Sequence, residues 1–351
     1  MKTRLFPLFF ALILLVSCRG RDEYVQLGGY AQGGTYAVKL NTKGVKASPA
    51  QMQAEVDRIL KDIDFSLSGY NKASILSRFN AGERVTPDSL FCRIYELSYG
   101  FYEQSGGSFD VSCGPLFDIW GFGFKKGSLP DDETVRETMR RCGMSRLKKD
   151  IRSAIAPDGT LSGADLLAIP GDTLLPVLNF NAIAQGFSCD VVAGYLHSLG
   201  VRDMLVDIGE IYCEGLNASG KPWSVGIDTP TDGNNTPGAD LQGVWHSCGS
   251  GGQGVVTSGN YRKFYVSGGR KYSHTIDPVA GRPVDHNLLS ATIVAPDAAT
   301  ADAVATWCMV VGLDKAEALV KDMGLECCLI YDEAGQMRQY VSPGFELSTL
   351  R

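Results

Sequence analysis

Apolar positions with helical spacing predict a series of amphipathic helices along the chain. Ser48-Pro49 is typical of a helix N-cap followed by proline, and the apolar residues after it fall on one face, at Met52, Val56, Ile59, Leu60 and Ile63. Thr86-Pro87 repeats this start signal ahead of a second apolar stripe, formed by Leu90, Ile94, Leu97 and Phe101. Similar patterns predict helices over residues 130–141, 186–199 and 299–311.

Short apolar runs between these helices predict β-strands. They cover residues 35–40, 204–207, 223–227, 263–266, 290–295 and 329–331. Residues 145–172 indicate hairpins or loops, and residues 229–239, rich in Pro, Gly, Asn and Asp, indicate an exposed loop. Strands and helices do not alternate regularly as in a doubly wound sheet, so the pattern favours an α+β fold with mixed sheets and packed helices.

The N-terminus has the pattern of a bacterial lipoprotein signal. A basic start at residues 2–4 precedes an apolar run over residues 5–16, which is shorter than the roughly 20 helical residues that span a bilayer. The run ends in Ser17-Cys18, where a small residue precedes the cysteine to be lipidated. We predict a signal peptide over residues 1–17, an acylated Cys18 and a tether over residues 18–32. The alternative is an ordinary secretory signal with an incidental Cys18.

Composition narrows the function classes. The net charge of -6 argues against a nucleic-acid binder, which needs a basic face, and only four histidines make a zinc site improbable. The 41 glycines indicate many tight turns and close backbone approaches. Beyond Cys18, no cysteines have CxxC spacing, and the sequence assigns no disulfide pairing to Cys92, Cys113, Cys142, Cys189, Cys213, Cys248, Cys308, Cys327 and Cys328.

Three segments concentrate glycine, aromatic and polar residues. The first, residues 108–123, is interpreted as a ligand-binding loop or as a core aromatic flanked by turns. The second, residues 179–187, leads into a predicted helix, whose N-terminus suits phosphate binding but is a weak signal alone. The third runs through residues 257–262, 272–278 and 301–306.

Asp302 and Thr306 in the third segment are four residues apart, so on a helix their oxygens face the same side. A carboxylate and a hydroxyl offered together are hard ligands suited to Mg²⁺. A solvated Asp302 with a core-facing Thr306 is the alternative that spacing alone leaves open.

The ordered set of motifs resembles the FAD:protein FMN transferase family, the ApbE-type flavin transferases. The matching elements extend over nearly the whole chain after the tether, from about residue 33 to residue 342, and we expect a single transferase domain over residues 33–345. They are FDVSCGPLFDIWGFG, NFNAIAQGFSCD with LVDIGE, WSVGID, VVTSGNYRKF, YSHTIDPVAGRPV and SATIVAPDAATADAVAT.

The resemblance implies roles for individual residues. Ala182 (through its backbone carbonyl), Asp302 and Thr306 match the family's Mg²⁺ ligands. His274 and Asp277 lie in its Ser-His-x-Ile-Asp-Pro signature and are our candidates for the general base. The implied flavin contacts are Gly33, Tyr70, Trp120, Gly121, Phe122, Asn179, Gln185 and Ile276.

Three of these positions depart from the family's pattern. Gly33-Gly34-Thr35 stands where Met-Gly-Thr is common, Asn179 replaces a common Asp, and Gln185 replaces a common Lys or Glu. Asn and Gln still form hydrogen bonds but change the charge of the site. The metal-binding pair is intact.

The implied reaction is the Mg²⁺-dependent transfer of FMN from FAD to a Thr or Ser hydroxyl of an acceptor protein, with release of AMP. The acceptor would carry a short Asp-Gly-x-Ser/Thr-Gly-Ala/Ser/Thr-Thr motif, typically in a membrane redox subunit. The enzyme would be lipid-anchored in the bacterial cell envelope, at the inner or outer membrane, and would face the periplasm. The alternatives are an FAD pyrophosphatase that gives FMN and AMP, and a non-catalytic flavin-binding lipoprotein.

Overall fold

The computed structural model describes residues 24–123 and 129–348. The predicted signal peptide and Cys18 lie outside these residues. The strands are β1 (Tyr24–Ala31), β2 (Gly34–Asn41), β3 (Met204–Asp207), β4 (Ile211–Glu214), β5 (Ser224–Asp228), β6 (Leu241–His246), β7 (Gly252–Gly259), β8 (Phe264–Ser267), β9 (Arg270–Ser273), β10 (Ile276–Asp277), β11 (Arg282–Pro283), β12 (Leu288–Ala295), β13 (Glu326–Glu333), β14 (Gln336–Val341) and β15 (Leu347–Ser348).

The helices alternate irregularly with these strands. They are α1 (Pro49–Leu67), α2 (Ile75–Asn80), α3 (Ser89–Gln104), α4 (Gly114–Ile119), α5 (Asp132–Met139), α6 (Gly163–Leu166), α7 (Ala184–Ser198), α8 (Ala298–Val311) and α9 (Leu313–Asp322), with 3₁₀ turns at Met144–Arg146 and Ile151–Ala154. Within the described ranges, no helix combines the length and apolar character needed to cross a membrane.

An antiparallel sheet of eight strands forms the centre of the molecule, in the order β1-β2-β3-β4-β7-β12-β13-β14. Side chains of successive strand residues point to opposite faces. On β12, Ile293 packs into the core on the helical side of the sheet, whereas Val294 packs into a second core on the other side. The central strands are therefore apolar on both faces.

The second core lies under a small antiparallel sheet, in the order β15-β6-β5. Trp223 and Trp245 contribute its largest side chains, and both are buried. The molecule thus has three layers, with helices on one face of the main sheet and the small sheet on the other. The layers bury most of the apolar positions that the sequence pattern predicts.

Helix α8 is the best-buried helix and packs against β7, β12 and α7. Its first turn is approached from two sides by glycines. A Cβ at Gly186 of α7 would lie 2.2 Å from the carbonyl oxygen of Ala298, and a Cβ at Gly254 of β7 would lie 2.4 Å from the Ala298 Cα. Only glycine allows backbone atoms to approach this closely at both positions.

Several predicted boundaries are corrected by the structure. Helix α3 is capped by the carboxylate of Asp88 rather than at Thr86, and Leu97, predicted in its apolar stripe, is exposed. Tyr95 is buried instead, because the buried stripe of α3 runs through Phe91, Tyr95 and Ser98, one residue away from the predicted positions Leu90 and Leu97. Residues 24–31, placed in the tether by the sequence pattern, form β1 and pair with β2.

Replacement of Gly186 by alanine tests the contact between α7 and α8. We expect Gly186→Ala to lower the free energy of unfolding by about 3 kcal/mol or more, because its methyl group meets backbone that cannot rotate away. Gly194→Ala is the matched control, since Gly194 lies in the same helix with nothing within 4 Å of its Cβ. That change should raise stability by up to about 1 kcal/mol. Equal effects of the two variants in urea unfolding would contradict the packing argument.

Candidate functional site

Asp302 lies on α8, where it faces the N-terminus of α7. Its side chain is only 5% exposed, and its Oδ2 accepts a hydrogen bond from the Gly186 backbone N–H at 3.0 Å. Burial raises the pKa of Asp302 to about 7, against the lowering effect of that hydrogen bond, and the nearby Asp190 carboxylate raises it further. A buried carboxylate in this condition favours a cation beside it.

Asp190 of α7 fixes the position of α8 from the other direction. Its two oxygens accept hydrogen bonds from the backbone N–H groups of Ala298 and Ala299, each at 2.8 Å. Asp297, the N-cap of α8, accepts from the N–H of Thr300 at 2.7 Å. The N–H groups in the first turn of α8 therefore donate to two carboxylates, those of Asp190 and Asp297. Each helix also caps the other, because Asp190 of α7 accepts from α8 and Asp302 of α8 accepts from α7.

Thr306 follows Asp302 by one helical turn, and Ala182 lies in the turn that precedes α7. The Thr306 Oγ1 is 3.4 Å from the Ser258 Oγ on β7. The structure thus brings Asp302 to the end of α7 where Ala182 and Gln185 lie. The Gln185 amide Nε2 donates to the Ile208 carbonyl at 3.0 Å, so this side chain is held by the loop between β3 and β4.

This donor set fits Mg²⁺ better than a softer metal. Within the part of the chain that the structure describes, no three His, Cys, Asp or Glu side chains are grouped as ligands of one metal ion. One buried carboxylate, a hydroxyl and a backbone carbonyl leave positions for water and phosphate oxygens, which is how Mg²⁺ is commonly held. The burial of the Asp302 carboxylate, one turn from the Thr306 hydroxyl on α8, is the observation that supports a cation here.

An aromatic wall, formed by Trp120, Phe122, Tyr265 and Tyr272, lies beside this end of the fold. The rings of Trp120 and Tyr272 stack at 6.0 Å, those of Tyr272 and Tyr265 at 5.3 Å, and Phe122 is 5.1 Å from Tyr265. Trp120 is 6% exposed, and its Nε1 donates to the carbonyl of Gly281 at 2.8 Å. The rings of the wall thus pack against one another, and the partly buried Phe122, Tyr265 and Tyr272 leave part of each ring accessible to a planar ligand.

His274 touches the wall through Phe122, with 6.5 Å between ring centroids. Its Nδ1 is 3.1 Å from the Lys263 carbonyl oxygen, and a carbonyl can only accept, so Nδ1 carries the proton. Burial lowers the pKa of His274 to about 4, and the charge of Lys263 adds to the effect. His274 is therefore neutral at pH 7, with its Nε2 lone pair available to accept a proton.

Ile276 and Asp277 form β10, which contacts α8 and so joins the wall to the acidic end of the site. Ile276 is buried with Trp120 in one apolar cluster. The Asp277 Oδ1 accepts from the N–H groups of Val279 at 2.8 Å and Ala280 at 3.2 Å. Asp277 thus stabilises the turn between β10 and β11. Its assignment as a general base stays a prediction.

With this geometry established, comparison with known proteins identifies the family. Residues 32–329 match the profile of the ApbE family, which is most of the chain. The chain belongs to the ApbE family. A curated relative from Vibrio cholerae, named FAD:protein FMN transferase, is 32% identical over 347 residues and is aligned over 96% of each chain.

Solved structures of ApbE proteins share the fold. The flavin transferase ApbE from Vibrio cholerae superposes with a TM-score of 0.74 at 31% identity, covering 92% of this chain and 97% of the other. The apo flavinyl transferase ApbE from Pseudomonas stutzeri gives a TM-score of 0.76 at 29% identity, with coverage of 92% and 95%. The predicted α+β fold and the resemblance to the ApbE family are confirmed.

The ApbE resemblance implies four further flavin contacts, and each of them lies in or beside a turn. Gly121 follows Trp120 directly, with a positive φ of 79°. The Asn179 backbone N–H donates to the Val111 carbonyl at 2.7 Å, and its side chain holds its own turn. Gly33 lies in the turn between β1 and β2, whose Gln32 side chain bonds to Ser188 of α7. Tyr70 lies in the turn after α1 and is 69% exposed.

Two features of the site were missed by sequence reasoning. Tyr265 and Tyr272 are directly paired across β8 and β9, whose two-residue turn is Gly268-Gly269. A Gly-Gly turn between apolar runs signals such a hairpin and its register. Glu210 was also missed, although burial and the nearby Asp302 charge raise the pKa of its carboxyl well above the usual value. Local sequence carries no signal for that proximity.

The neutral state of His274 predicts a pH dependence of stability. Between about pH 6.5 and pH 4 the histidine is protonated in the unfolded chain but not in the folded protein, so stability falls as the pH falls through this range. We expect the wild type to lose up to about 2 kcal/mol more than His274→Gln between pH 7 and pH 5. The amide of the variant can still donate to the Lys263 carbonyl. Urea unfolding at both pH values measures the difference, and parallel losses would refute the neutral buried state.

Proposed function

We propose that this protein transfers FMN from FAD to a Thr or Ser hydroxyl of an acceptor protein and releases AMP. The observation that supports this most is the buried Asp302 at the N-terminus of α7, next to an aromatic wall, in a chain of the ApbE family. An acidic cation site and a surface for a planar ring are the two parts that FAD, with its pyrophosphate and its isoalloxazine, requires.

In this reaction the acceptor oxygen forms a bond to the phosphorus of the FMN half of FAD. The bond from that phosphorus to the bridging oxygen breaks, and AMP leaves with the electron pair. The proton of the hydroxyl passes to a base. The product is FMN attached to the acceptor through a phosphoester, so no oxidation or reduction is involved.

We propose that Asp302, Thr306 and the carbonyl of Ala182 hold Mg²⁺. When bound, the ion would neutralise negative charge on the pyrophosphate as AMP leaves. The caps exchanged by α7 and α8 hold Asp302 in place before any ligand arrives, because the Gly186 N–H and the Asp190 carboxylate fix both helices. Such preorganisation reduces the reorganisation that binding would otherwise require.

His274 is the better of the two base candidates. Its Nδ1–H is directed at the Lys263 carbonyl, which fixes the tautomer with the acceptor lone pair on Nε2. The Asp277 carboxylate is instead engaged by two backbone N–H groups of its own turn. A base with a pKa of about 4 is too weak to deprotonate a free hydroxyl. We therefore propose that His274 accepts the proton of the acceptor hydroxyl while the bond from its oxygen to phosphorus forms.

We further propose that the protein works in the bacterial cell envelope, facing the periplasm and attached through acyl chains on Cys18. The lipoprotein pattern at residues 1–18 supports this location. An acceptor in a membrane redox subunit would then be within reach of the tethered enzyme. Residues 19–23, at the start of the predicted tether, separate Cys18 from β1.

A labelling assay tests the reaction and the cation together. The purified protein is incubated with FAD, Mg²⁺ and an acceptor that carries the Thr-containing motif, and flavin fluorescence on the acceptor is read after gel electrophoresis. We expect labelling that EDTA abolishes. We expect Asp302→Asn to reduce labelling at least about 100-fold, because the amide carries no negative charge to bind the cation. The amide oxygen can still accept from the Gly186 N–H, so the contact between the two helices is retained.

The matched control is Asp314→Asn, an exposed carboxylate in the first turn of α9. It should label the acceptor at the wild-type rate. Normal transfer by Asp302→Asn would refute the cation assignment. Release of FMN and AMP without labelling of the acceptor would indicate an FAD pyrophosphatase instead of a transferase. FAD that stays bound and intact would indicate a flavin carrier.

Replacement of Cys18 tests the attachment to the membrane. We expect the wild-type protein, expressed in a bacterial host, to incorporate labelled fatty acid and to enter the detergent phase of a phase-separating detergent. Cys18→Ser should lose both properties, because the thiol that carries the acyl chain is gone. Retention of Cys18→Ser in the detergent phase would contradict lipidation at this residue.

A further inference from the structure

Two cysteines meet beneath the aromatic wall. Cys113 is the N-cap of α4, the short helix that leads to Trp120, and Cys142 follows α5. The residues beside them are joined directly, since the Gly143 backbone N–H donates to the Ser112 Oγ at 2.8 Å. Both cysteines belong to the apolar cluster that contains Trp120. Their backbones are therefore held side by side by contacts that do not involve the thiols.

The Cys113 and Cys142 thiols interact, and this interaction is the largest cause of the raised pKa of Cys113. The Cys142 Sγ also donates to the Thr138 carbonyl at 3.6 Å, which directs its side chain back along α5. Crosslinking needs the two Cβ atoms to be close and turned towards each other. The Ser112–Gly143 hydrogen bond brings the two segments together, and both cysteines lie in one apolar cluster between them.

The two thiols differ in their access to solvent. Cys113 is 2% exposed, whereas Cys142 is half-buried. The interaction with Cys142 and burial raise the pKa of the Cys113 thiol well above its usual value, so Cys113 is not the first of the two thiols to react. An oxidant reaches Cys142 first, and Cys113 lies where it can attack the resulting mixed disulfide.

We propose that Cys113 and Cys142 form a reversible disulfide that joins the start of α4 to the end of α5. The step is an exchange with a disulfide oxidant. The Cys142 thiolate attacks one sulfur of the oxidant and releases one thiol, and Cys113 then attacks the Cys142 sulfur and releases the second. The two cysteines are oxidised by two electrons, the oxidant is reduced to two thiols, and the two cysteine protons end on those thiols.

The crosslink would hold the segment that carries Trp120. It closes a loop through residues 113–142 and so restricts the unfolded chain, which is the main way in which a disulfide stabilises a protein. In the folded protein it replaces a contact that is already made, so the position of Trp120 against Gly281 and Tyr272 is retained. The inference concerns the chain itself and holds whatever reaction the site performs.

The test uses the purified protein, first reduced and then freed of reductant. It is incubated with oxidised glutathione, blocked with an alkylating reagent and digested, and the peptides are identified by mass spectrometry. We expect a peptide pair that joins Cys113 to Cys142, with a mass lower by two hydrogen atoms than the two thiol peptides. We also expect the thermal midpoint to rise by roughly 4 °C and to return on reduction.

Cys142→Ser removes the exposed partner and should abolish both the peptide pair and the rise in midpoint. Cys248→Ser is the matched control, because Cys248 is an exposed cysteine of a different region and its loss should leave both results unchanged. The proposal is overturned if oxidised wild-type protein still alkylates at both Cys113 and Cys142. It is equally overturned if either is found joined to another cysteine or only to glutathione.

Discussion

The first turn of α8 lies between two glycines, and this close packing determines where the acidic end of the site can be. Gly186 of α7 and Gly254 of β7 approach the backbone of Ala298 so closely that neither could carry a side chain without a shift. The approach brings the N-termini of α7 and α8 within reach of carboxylates on the opposite helix. Asp190 caps α8, and Asp302 caps α7. The close packing of α7 against α8 therefore also determines where the Asp190 and Asp302 carboxylates lie.

That constraint concentrates negative charge in a place where water has limited access. Burial raises the pKa values of Asp190 and Asp302 to about 7, and that of Glu210 also rises well above its usual value. Helix N-termini offset part of the cost through their partial positive charge. The remaining cost favours a proton or a positive charge beside these carboxylates, and groups with such raised pKa values cluster at functional sites.

Local signals in the sequence predicted five of the nine described helices and six of the fifteen described strands, because caps and periodicity act over a few residues. Ser48 caps α1 as its Ser-Pro pattern indicates, and the helix predicted over residues 299–311 is α8. The cap of α3 was misplaced since Asp88 stands two residues after Thr86, and both are good N-caps. β7 was not predicted as a strand, although it is central to the sheet, since Gly252 and Gly254 interrupt its apolar pattern and residues 257–259 were assigned to a candidate site segment.

The candidate site was predictable only through motifs, since its parts come from distant segments. Asp302 and Thr306 share a helix face and could be paired from spacing, but the distance from Asp302 to Gly186 spans more than a hundred residues of sequence. The contact between Cys113 and Cys142 depends on how α4 packs against α5 and has no local signature. Pairings between segments are fixed by tertiary packing, so a single sequence without relatives leaves them open.

The two halves of the site are built from different kinds of structure. The acidic half rests on long helices that interlock and are buried, whereas the aromatic wall is assembled from a hairpin, a short helix and a turn. Hydrogen bonds from side chains to backbone carbonyls hold the wall together, since the Tyr265 hydroxyl donates to the Trp120 carbonyl at 3.0 Å and the Trp120 indole donates to the Gly281 carbonyl. Groups that must hold charge in place are best supported by rigid elements, while a ring-binding surface tolerates variation in its loops. Of the three departures from the family's pattern, Gly33 and Asn179 lie at turns, whereas Gln185 lies in the first turn of α7 and so belongs to the acidic half.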